Sequence, residues 1–246
     1  MVLKLQQKTF KKHKMEIEIA DPIFWVFTKK EIIWMLIFIV IGSFISFVPL
    51  IPNDDPTKIL LTSLIFSIII ITNLATKKII APHFAIKIEH SDWKLIHWGW
   101  FKRAYFKKPL PLGLILPFFL AIFTIGKLKP FTFFQFEAKN LKEKRILKSH
   151  GSRPKIRKEL INEEDLGYTA ASGMYALLIL AIIGILLKPY FPSFGADLAK
   201  YSIYFGIWNL LPMGQLDGTK IFFGTTVLWF FLAIIYTISA FVILIL

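Results

Sequence analysis

Apolar runs separated by basic segments dominate the hydrophobic pattern of this chain. A helix needs about 20 consecutive apolar residues to cross a bilayer. Four runs are long enough to cross, and a fifth, residues 201–216, is marginal. The four longer runs are residues 32–51, 59–80, 168–187 and 221–246. This pattern predicts an all-α polytopic membrane protein with about five spans.

A sixth apolar run, residues 111–126, is different because it is short, contains Pro117 and has basic segments at both ends. Basic residues mark the cytoplasmic side of membrane segments, so both ends of this run belong on one side. Backbone that enters a membrane without crossing it needs protein around it to satisfy its polar groups. We therefore expect a re-entrant hairpin here.

Short segments on either side of this run alternate apolar and polar residues with the two-residue period of a half-buried strand. In the first segment Phe84, Ile86 and Ile88 are the apolar members of the alternation. The second segment, residues 131–137, alternates less cleanly. Both predict short β-strands at the membrane interface, in positions that would let them pair with each other.

The excess of basic residues bears on which partners the protein binds. The chain has 30 Lys and Arg against 16 Asp and Glu, which gives a net charge of +14. In a soluble domain this excess would suggest nucleic acid, but here the basic residues flank apolar segments, where they set topology and meet anionic headgroups. We expect membrane lipid as a partner and no nucleic acid. The absence of cysteine excludes disulfides, thiolate metal sites and a cysteine nucleophile.

The positive-inside rule gives one consistent topology if residues 111–126 do not cross. Residues 1–31 form a basic segment that is predicted to be cytoplasmic, and residues 32–246 form the membrane domain. That domain includes a basic cytoplasmic loop at residues 127–165. We expect no cleavable signal peptide, because about thirty mostly polar residues precede the first apolar run. The predicted localisation is the cell membrane.

The most informative polar residues lie at the end of the marginal fifth segment. Asn209, Pro212 and Asp217 occur there in the pattern Asn-x-x-Pro-x-x-x-Leu-Asp-Gly. A carboxylate at the end of an apolar membrane segment is costly, so a functional origin is the default hypothesis.

This pattern resembles the Asn-Pro-Leu-Asp-Gly signature of the site-2 protease family, the intramembrane zinc metalloproteases, and especially their small archaeal and bacterial members. In that family the Asp is the third zinc ligand. The other two ligands are the histidines of a His-Glu-x-x-His motif, whose Glu activates the metal-bound water. The resemblance implies a site-2 protease-like transmembrane bundle in which Asp217 retains the ligand position.

The His-Glu-x-x-His motif itself does not occur in the chain. We identify the corresponding segment as residues 72–76, at the end of the second predicted span. This assignment puts Thr72 and Thr76 at the two ligand positions and Asn73 at the general-base position. A threonine hydroxyl is a weak zinc ligand, and Asn73 cannot accept a proton from water.

A third family element is also degraded. Gly173 fits the Gly-Pro-x-x-Asn element of the family, but Met174 replaces the proline and Leu177 replaces the asparagine. The resemblance covers roughly residues 60–226, and it supports the fold while arguing against catalysis.

Two structural interpretations of the substituted residues remain open. In the first, Thr72, Asn73 and Thr76 face Asp217 and Asn209 across the bundle and satisfy the carboxylate by hydrogen bonds. In the second, the threonine hydroxyls bond to their own helix four residues back and contact nothing else.

Histidines at positions 83, 90 and 97 recur every seven residues, which would align them on one face of a helix. The strand-like alternation places successive members on opposite faces instead, so this spacing does not favour a metal site. The aromatic residues nearby indicate interfacial anchors of a hairpin. They are Trp93, Trp98, Trp100 and Tyr105.

The sequence therefore predicts a catalytically degenerate site-2 protease-like protein that binds transmembrane or juxtamembrane protein segments without cleaving them. The expected substrate-binding residues are Asn209 and the first strand, with Phe84, Ile86 and Ile88. No cofactor is expected, or zinc if the family activity is retained.

Two alternatives remain. One is an active zinc-dependent intramembrane metalloendopeptidase with a non-standard ligand set, such as His83 or His90 beside Asp217. The other is a small transporter or ion-handling protein in which Asp217 and Asn209 line a pathway.

Overall fold

The computed structural model describes residues 27–46, 56–97, 105–127, 129–140 and 161–245. Most of these residues are helical. The helices are α1 (Lys29–Ser46), α2 (Pro56–Ile80), α3 (Leu112–Phe123), α4 (Glu163–Leu187), α5 (Pro192–Leu210), α6 (Asp217–Gly224) and α7 (Thr226–Ile245). The strands are β1 (Ile86–Asp92), β2 (Lys94–His97), β3 (Tyr105–Pro111) and β4 (Phe134–Asn140). A 3-10 turn, Ala81–Phe84, joins α2 to β1.

Three helices in the described part of the chain are long and apolar enough to cross a membrane. They are Thr57–Phe84, which joins α2 and the 3-10 turn, Glu163–Leu187 of α4 and Thr226–Ile243 of α7. They coincide with three of the predicted runs and confirm that the chain has the character of a helical membrane protein.

The other predicted runs differ from the helices that form. The first run extends to residue 51, but α1 already begins at Lys29, and residues 47–55 lie outside the described part. The marginal run belongs to a longer helix, α5, which begins at Pro192. The last run is divided into α6 and α7 at Thr225, whose backbone angles are not helical. The basic loop at residues 127–165 also lies largely outside the described residues.

The apolar run with Pro117 forms α3, which has 12 residues. At 1.5 Å per residue such a helix is about 18 Å long, which is shorter than the roughly 30 Å hydrocarbon core. Its Phe118 ring stacks on Phe44 of α1 at 5.8 Å between centroids. The length and packing agree with a segment that does not cross by itself.

A strand forms in each predicted segment, and the two strands pair with each other. Both begin later than predicted, because Phe84 belongs to the 3-10 turn and residues 131–133 precede β4. β1 and β4 are antiparallel, with Ile86 opposite Asn140 and Asp92 opposite Phe134. A second two-stranded sheet joins β2 to β3. The apolar residues of β1 and β4 point into the same core as the helices, so the sheet is attached to the bundle.

One close helix crossing in the described residues lies between α4 and α5, where Gly184 faces Gly195. A Cβ atom built on Gly195 would lie 2.6 Å from the carbonyl oxygen of Gly184. Small residues let the backbones of membrane helices approach closely, and dispersion contacts then hold the pair. This crossing positions α5, whose carboxyl end leads to Asp217.

We expect Gly195→Leu to separate α4 from α5 and to destabilise the protein by at least about 1–3 kcal/mol, the usual cost of overpacking. Thermal unfolding in detergent measures the effect as a lowered midpoint. Ser193→Leu is the matched control, because Ser193 lies on the same helix and is exposed. Equal midpoints for the two variants would show that the crossing is not tight.

Candidate functional site

Asp217 is buried at the start of α6, with 2% of its surface exposed. Its partner is Lys77 near the carboxyl end of α2, which is 1% exposed. The Lys77 Nζ donates a hydrogen bond to Asp217 Oδ2 and forms a buried ion pair with it. The carboxylate that the sequence singled out is therefore neutralised by an ammonium group.

Asn73 and Lys77 are four residues apart and lie on the same buried face of α2. Gly173 of α4 packs against both side chains. A Cβ atom built on Gly173 would lie 2.8 Å from Asn73 Nδ2 and even closer to Lys77 Cε. The glycine thus provides the space in which the lysine side chain reaches Asp217.

Thr72 and Thr76 do not face Asp217, contrary to the interpretation in which they satisfy the carboxylate by hydrogen bonds. The Thr76 hydroxyl donates to the carbonyl oxygen of Thr72 at 2.7 Å, so it bonds to its own helix, as the second interpretation states. Successive residues of a helix are about 100° apart, so the face beside Asp217 begins one residue later than assigned. Asn73 and Lys77 occupy it, and Thr72 and Thr76 are only partly buried.

Sequence reasoning missed Lys77 because it was interpreted only as a topology signal. The available signal was its position, since it follows the buried Asn73 by one helical turn within an apolar run. A charged residue there needs a partner inside the bundle.

A second buried network surrounds Glu31 at the start of α1. Glu31 Oε2 accepts a hydrogen bond from Lys78 Nζ at 2.5 Å. Glu31 Oε1 accepts one from the backbone N–H of His90 at 2.8 Å and lies 3.2 Å from His90 Nδ1. Adjacent lysines of α2 therefore hold two different carboxylates, and Glu31 connects α1, α2 and β1.

His90 is buried in β1, and burial lowers its pKa to about 4, although the hydrogen bond to Glu31 favours the charged form. The charge of Lys77 lowers this pKa further, while Asp217 raises it. His90 is therefore neutral near pH 7. With its Nδ1–H directed at Glu31, its buried Nε2 has no protein hydrogen-bond partner.

A third lysine, Lys220 of α6, completes the charged cluster. Its Nζ donates to the carbonyl oxygen of Phe136 at 2.6 Å and lies 3.5 Å from the centroid of the Phe136 ring. Lys77 Nζ lies 5.9 Å from the same centroid. The ring of Phe136 on β4 is thus in contact with the group that holds Asp217.

Asn209, the other conspicuous residue of the motif, has a different role. Its Nδ2 donates to the carbonyl oxygens of Phe131 at 2.9 Å and Phe205 at 2.8 Å. These bonds attach the segment before β4 to α5. Asn209 is therefore a positioning residue, and no described contact joins it to Asp217.

The predicted substrate-binding side chains of the first strand lie mostly inside. Ile86 and Ile88 are 0% and 2% exposed and belong to the core. Phe84 stacks on Tyr168 of α4 at 5.9 Å between centroids. These side chains hold the sheet to the bundle, so a bound segment would have to use the backbone of the sheet instead.

The other aromatic and histidine predictions have mixed outcomes. Trp93 was predicted to anchor the membrane interface, but it is 3% exposed and packs beside Gly214 in the loop before Asp217. His83 lies exposed in the 3-10 turn, away from the buried face that holds His90. Trp98 and Trp100 lie outside the described residues.

The residues that surround Asp217 do not fit the zinc ion that the resemblance implies. Zinc in a hydrolase needs three protein ligands of the His, Cys, Asp or Glu type and a position for water. Within the described ranges no group of three such side chains could hold a metal ion. The ammonium of Lys77, which has no lone pair, stands beside the carboxylate instead.

No family model, curated protein or solved structure matches this chain. The resemblance to the site-2 proteases therefore rests on the motif around Asp217.

Removing one partner of the Lys77–Asp217 pair should cost about 3–5 kcal/mol, because the other charge would remain buried without compensation. We expect Lys77→Met and Asp217→Asn each to lower the unfolding midpoint strongly. The double variant should lose much less than the sum of the two losses. Denaturant unfolding of all four proteins in one detergent measures this coupling.

The exposed pair between Lys139 and Glu89 is the control for this cycle, at 3.4 Å with 49% and 37% of the side chains exposed. Glu89→Gln should cost less than about 1 kcal/mol. If the stability losses of Lys77→Met and Asp217→Asn simply added in their double variant, a direct interaction between Lys77 and Asp217 would be contradicted.

The buried neutral His90 should make the protein sensitive to acid. Its pKa is lowered from 6.5 to about 4 on folding. The unfolded chain therefore binds more protons in this window, and stability is lost as the pH falls from 6.5 to 4. Glu31, Lys77 and Asp217 are the charged groups that act on it.

Unfolding midpoints of the wild type and His90→Gln, measured between pH 4 and 8, test this expectation. The variant should have a flatter profile between pH 6.5 and 4. Parallel profiles would show that His90 does not titrate in that window.

Proposed function

We propose that this chain is a catalytically inactive, site-2 protease-like membrane protein that binds transmembrane or juxtamembrane protein segments without cleaving them. The observation that carries this proposal is the buried ion pair between Lys77 and Asp217.

An ammonium group can replace the charge of a metal ion but not its chemistry. It carries three N–H donors and no open coordination position, so it cannot bind and activate a water molecule. Asn73, on the same face of α2, has no group that accepts a proton at neutral pH. Lys77 therefore supports a site that keeps α2, α4 and α6 together without hydrolysing a peptide bond.

The finer topology belongs to the same proposal. It has five spans, with α3 as a re-entrant segment and the basic amino-terminal segment in the cytoplasm. This orientation puts the carboxyl end of α2, and with it Lys77 and Asp217, near the cytoplasmic surface. A juxtamembrane segment of a partner could reach that depth without full entry into the bilayer.

The sheet supplies a surface for such a segment. Extended peptides bind to sheet edges through main-chain hydrogen bonds. β4 carries Phe136, whose ring contacts both Lys77 and Lys220. A segment that pairs with β4 would therefore lie next to the former catalytic position.

Ion handling is a second candidate, because ionisable residues inside membrane proteins often mark ion pathways. Asp217 Oδ1 and Asn73 Nδ2 are buried without a protein hydrogen-bond partner. Proton flux into liposomes that is lost in Asp217→Ala would favour this candidate over segment binding.

Metal content and proteolysis test the absence of catalysis. The purified wild type should contain no stoichiometric zinc and should leave single-span substrates uncut in proteoliposomes, with or without a chelator. The double variant Asn73→His with Lys77→His should instead bind about one zinc per chain, since two histidines four residues apart and Asp217 make three ligands.

Thr72→His with Thr76→His is the matched control and should not gain zinc, because these positions lie on another face of the helix. Zinc in the wild type that disappears in Asp217→Ala, together with chelator-sensitive cleavage, would restore the metalloendopeptidase alternative.

Binding is tested separately with a photo-crosslinking residue in place of the exposed Glu137 on β4. Crosslinks to full-length, uncut membrane proteins are expected there. The same residue in place of Ile182, which is 57% exposed on α4, is the control for random contacts in the bilayer. Equal patterns at the two positions would contradict binding at the sheet.

A further inference from the structure

Charged side chains bind to both outer edges of the β1–β4 sheet, Glu31 on β1 and Lys220 on β4. They bind at the same rung, which here means one pair of directly opposite residues. His90 lies directly opposite Phe136 in the antiparallel register. The backbone N–H of His90 donates to Glu31 rather than to β4. Residues in an antiparallel pair alternate between bonded and non-bonded rungs, so this rung is non-bonded and the polar backbone groups of Phe136 point outward.

The neighbouring contacts agree with this alternation. The backbone N–H of Trp93 donates to the carbonyl oxygen of Phe133 at 2.9 Å, three residues along both strands and therefore on a bonded rung. The outward carbonyl oxygen of Phe136 accepts the hydrogen bond from Lys220 Nζ at 2.6 Å. Lys220 thus occupies the outer edge of β4 at its centre.

We propose that Lys220 blocks the outer edge of β4 by its hydrogen bond to Phe136, and we call this contact the latch. An extended polypeptide segment pairs with this edge once the contact is broken. An added strand must donate its own N–H groups to the outward carbonyl oxygens of β4. The carbonyl of Phe136 is the central one of these acceptors. The ammonium of Lys220 takes the place of the incoming N–H.

The two faces of β4 define the chemistry of the segment. Phe134 and Phe136 are buried toward the core, while Glu137 and Lys139 are exposed on the opposite face. Side chains of an added strand continue the faces of its neighbour. The segment that fits is therefore extended, with apolar residues that alternate with charged residues of both signs.

The burial of Lys220 offsets part of the cost of its release. Burial lowers its pKa to about 7, although Asp217 acts in the opposite direction. The ammonium is therefore poorly solvated in the closed arrangement, and it regains hydration when the flexible side chain turns into water. Lys77 remains paired with Asp217 throughout, so the latch can open without loss of the central ion pair.

This inference rests on the proposed function, since it assumes that the sheet edge binds extended segments. The test uses the full-length protein in lipid nanodiscs and a fluorescein-labelled peptide of eight residues. In this peptide Val-Lys pairs alternate with Val-Glu pairs. Fluorescence anisotropy measures its Kd. The same peptide with N-methyl groups at alternate residues is the control, because it cannot donate the hydrogen bonds of a strand.

We expect Lys220→Met to bind the peptide about tenfold more tightly than the wild type, because the hydrogen bond from Lys220 to Phe136 no longer has to be broken. Lys220→Arg should resemble the wild type, since a guanidinium also donates to a carbonyl oxygen. The N-methylated peptide should not bind to any of the proteins.

A second variant locates the binding edge. Ala138 is on the same alternation as Phe136, so its N–H points outward and is not used for pairing with β1. Ala138→Pro, added to Lys220→Met, should abolish binding and leave the unfolding midpoint close to that of Lys220→Met.

The outcomes separate the latch from the docking site. Equal Kd values for the wild type and Lys220→Met, with binding still lost in Ala138→Pro, would overturn the latch and leave edge docking intact. No saturable binding to any folded variant, or equal binding of the N-methylated peptide, would overturn edge docking and with it the binding role proposed above.

Discussion

A buried carboxylate in an apolar bundle needs a cation beside it, and in this protein Lys77 supplies that cation to Asp217. An unpaired charge in a low-dielectric environment is far more costly than the pair. The pair fixes how α2 meets α6, and it explains why α4 presents Gly173 at the contact. The ion pair thus adds a specific polar contact between α2 and α6 to the hydrophobic packing of the bundle.

The charged groups form a connected system rather than isolated pairs. Lys77 and Lys78 are adjacent in sequence, yet they hold carboxylates from opposite ends of the chain, Asp217 and Glu31. The sheet joins the two networks, because His90 bonds to Glu31 and the opposite residue, Phe136, contacts Lys77 and Lys220. The two networks therefore meet at one pair of opposite residues in the sheet.

The sequence pattern predicted the helices and strands whose formation depends on nearby residues. Run length predicted the helices of α2 and α4, and the two-residue alternation predicted β1, β4 and their pairing. The division between α6 and α7 at Thr225 was missed, because the apolar run of residues 221–246 continues through it without a charge or a proline. The role of Lys77 was missed for a related reason: a lysine at the end of an apolar run looks the same in sequence whether it faces headgroups or a carboxylate 140 residues away.

That separation of 140 residues has a consequence for biogenesis. The ribosome releases Lys77 long before it releases Asp217, so the early helices enter the bilayer with a cation that has no counter-ion. Lysine side chains in this situation extend toward the headgroups, which keeps the end of α2 at the surface. Lys77 therefore obtains its buried carboxylate partner only when α6 is in place.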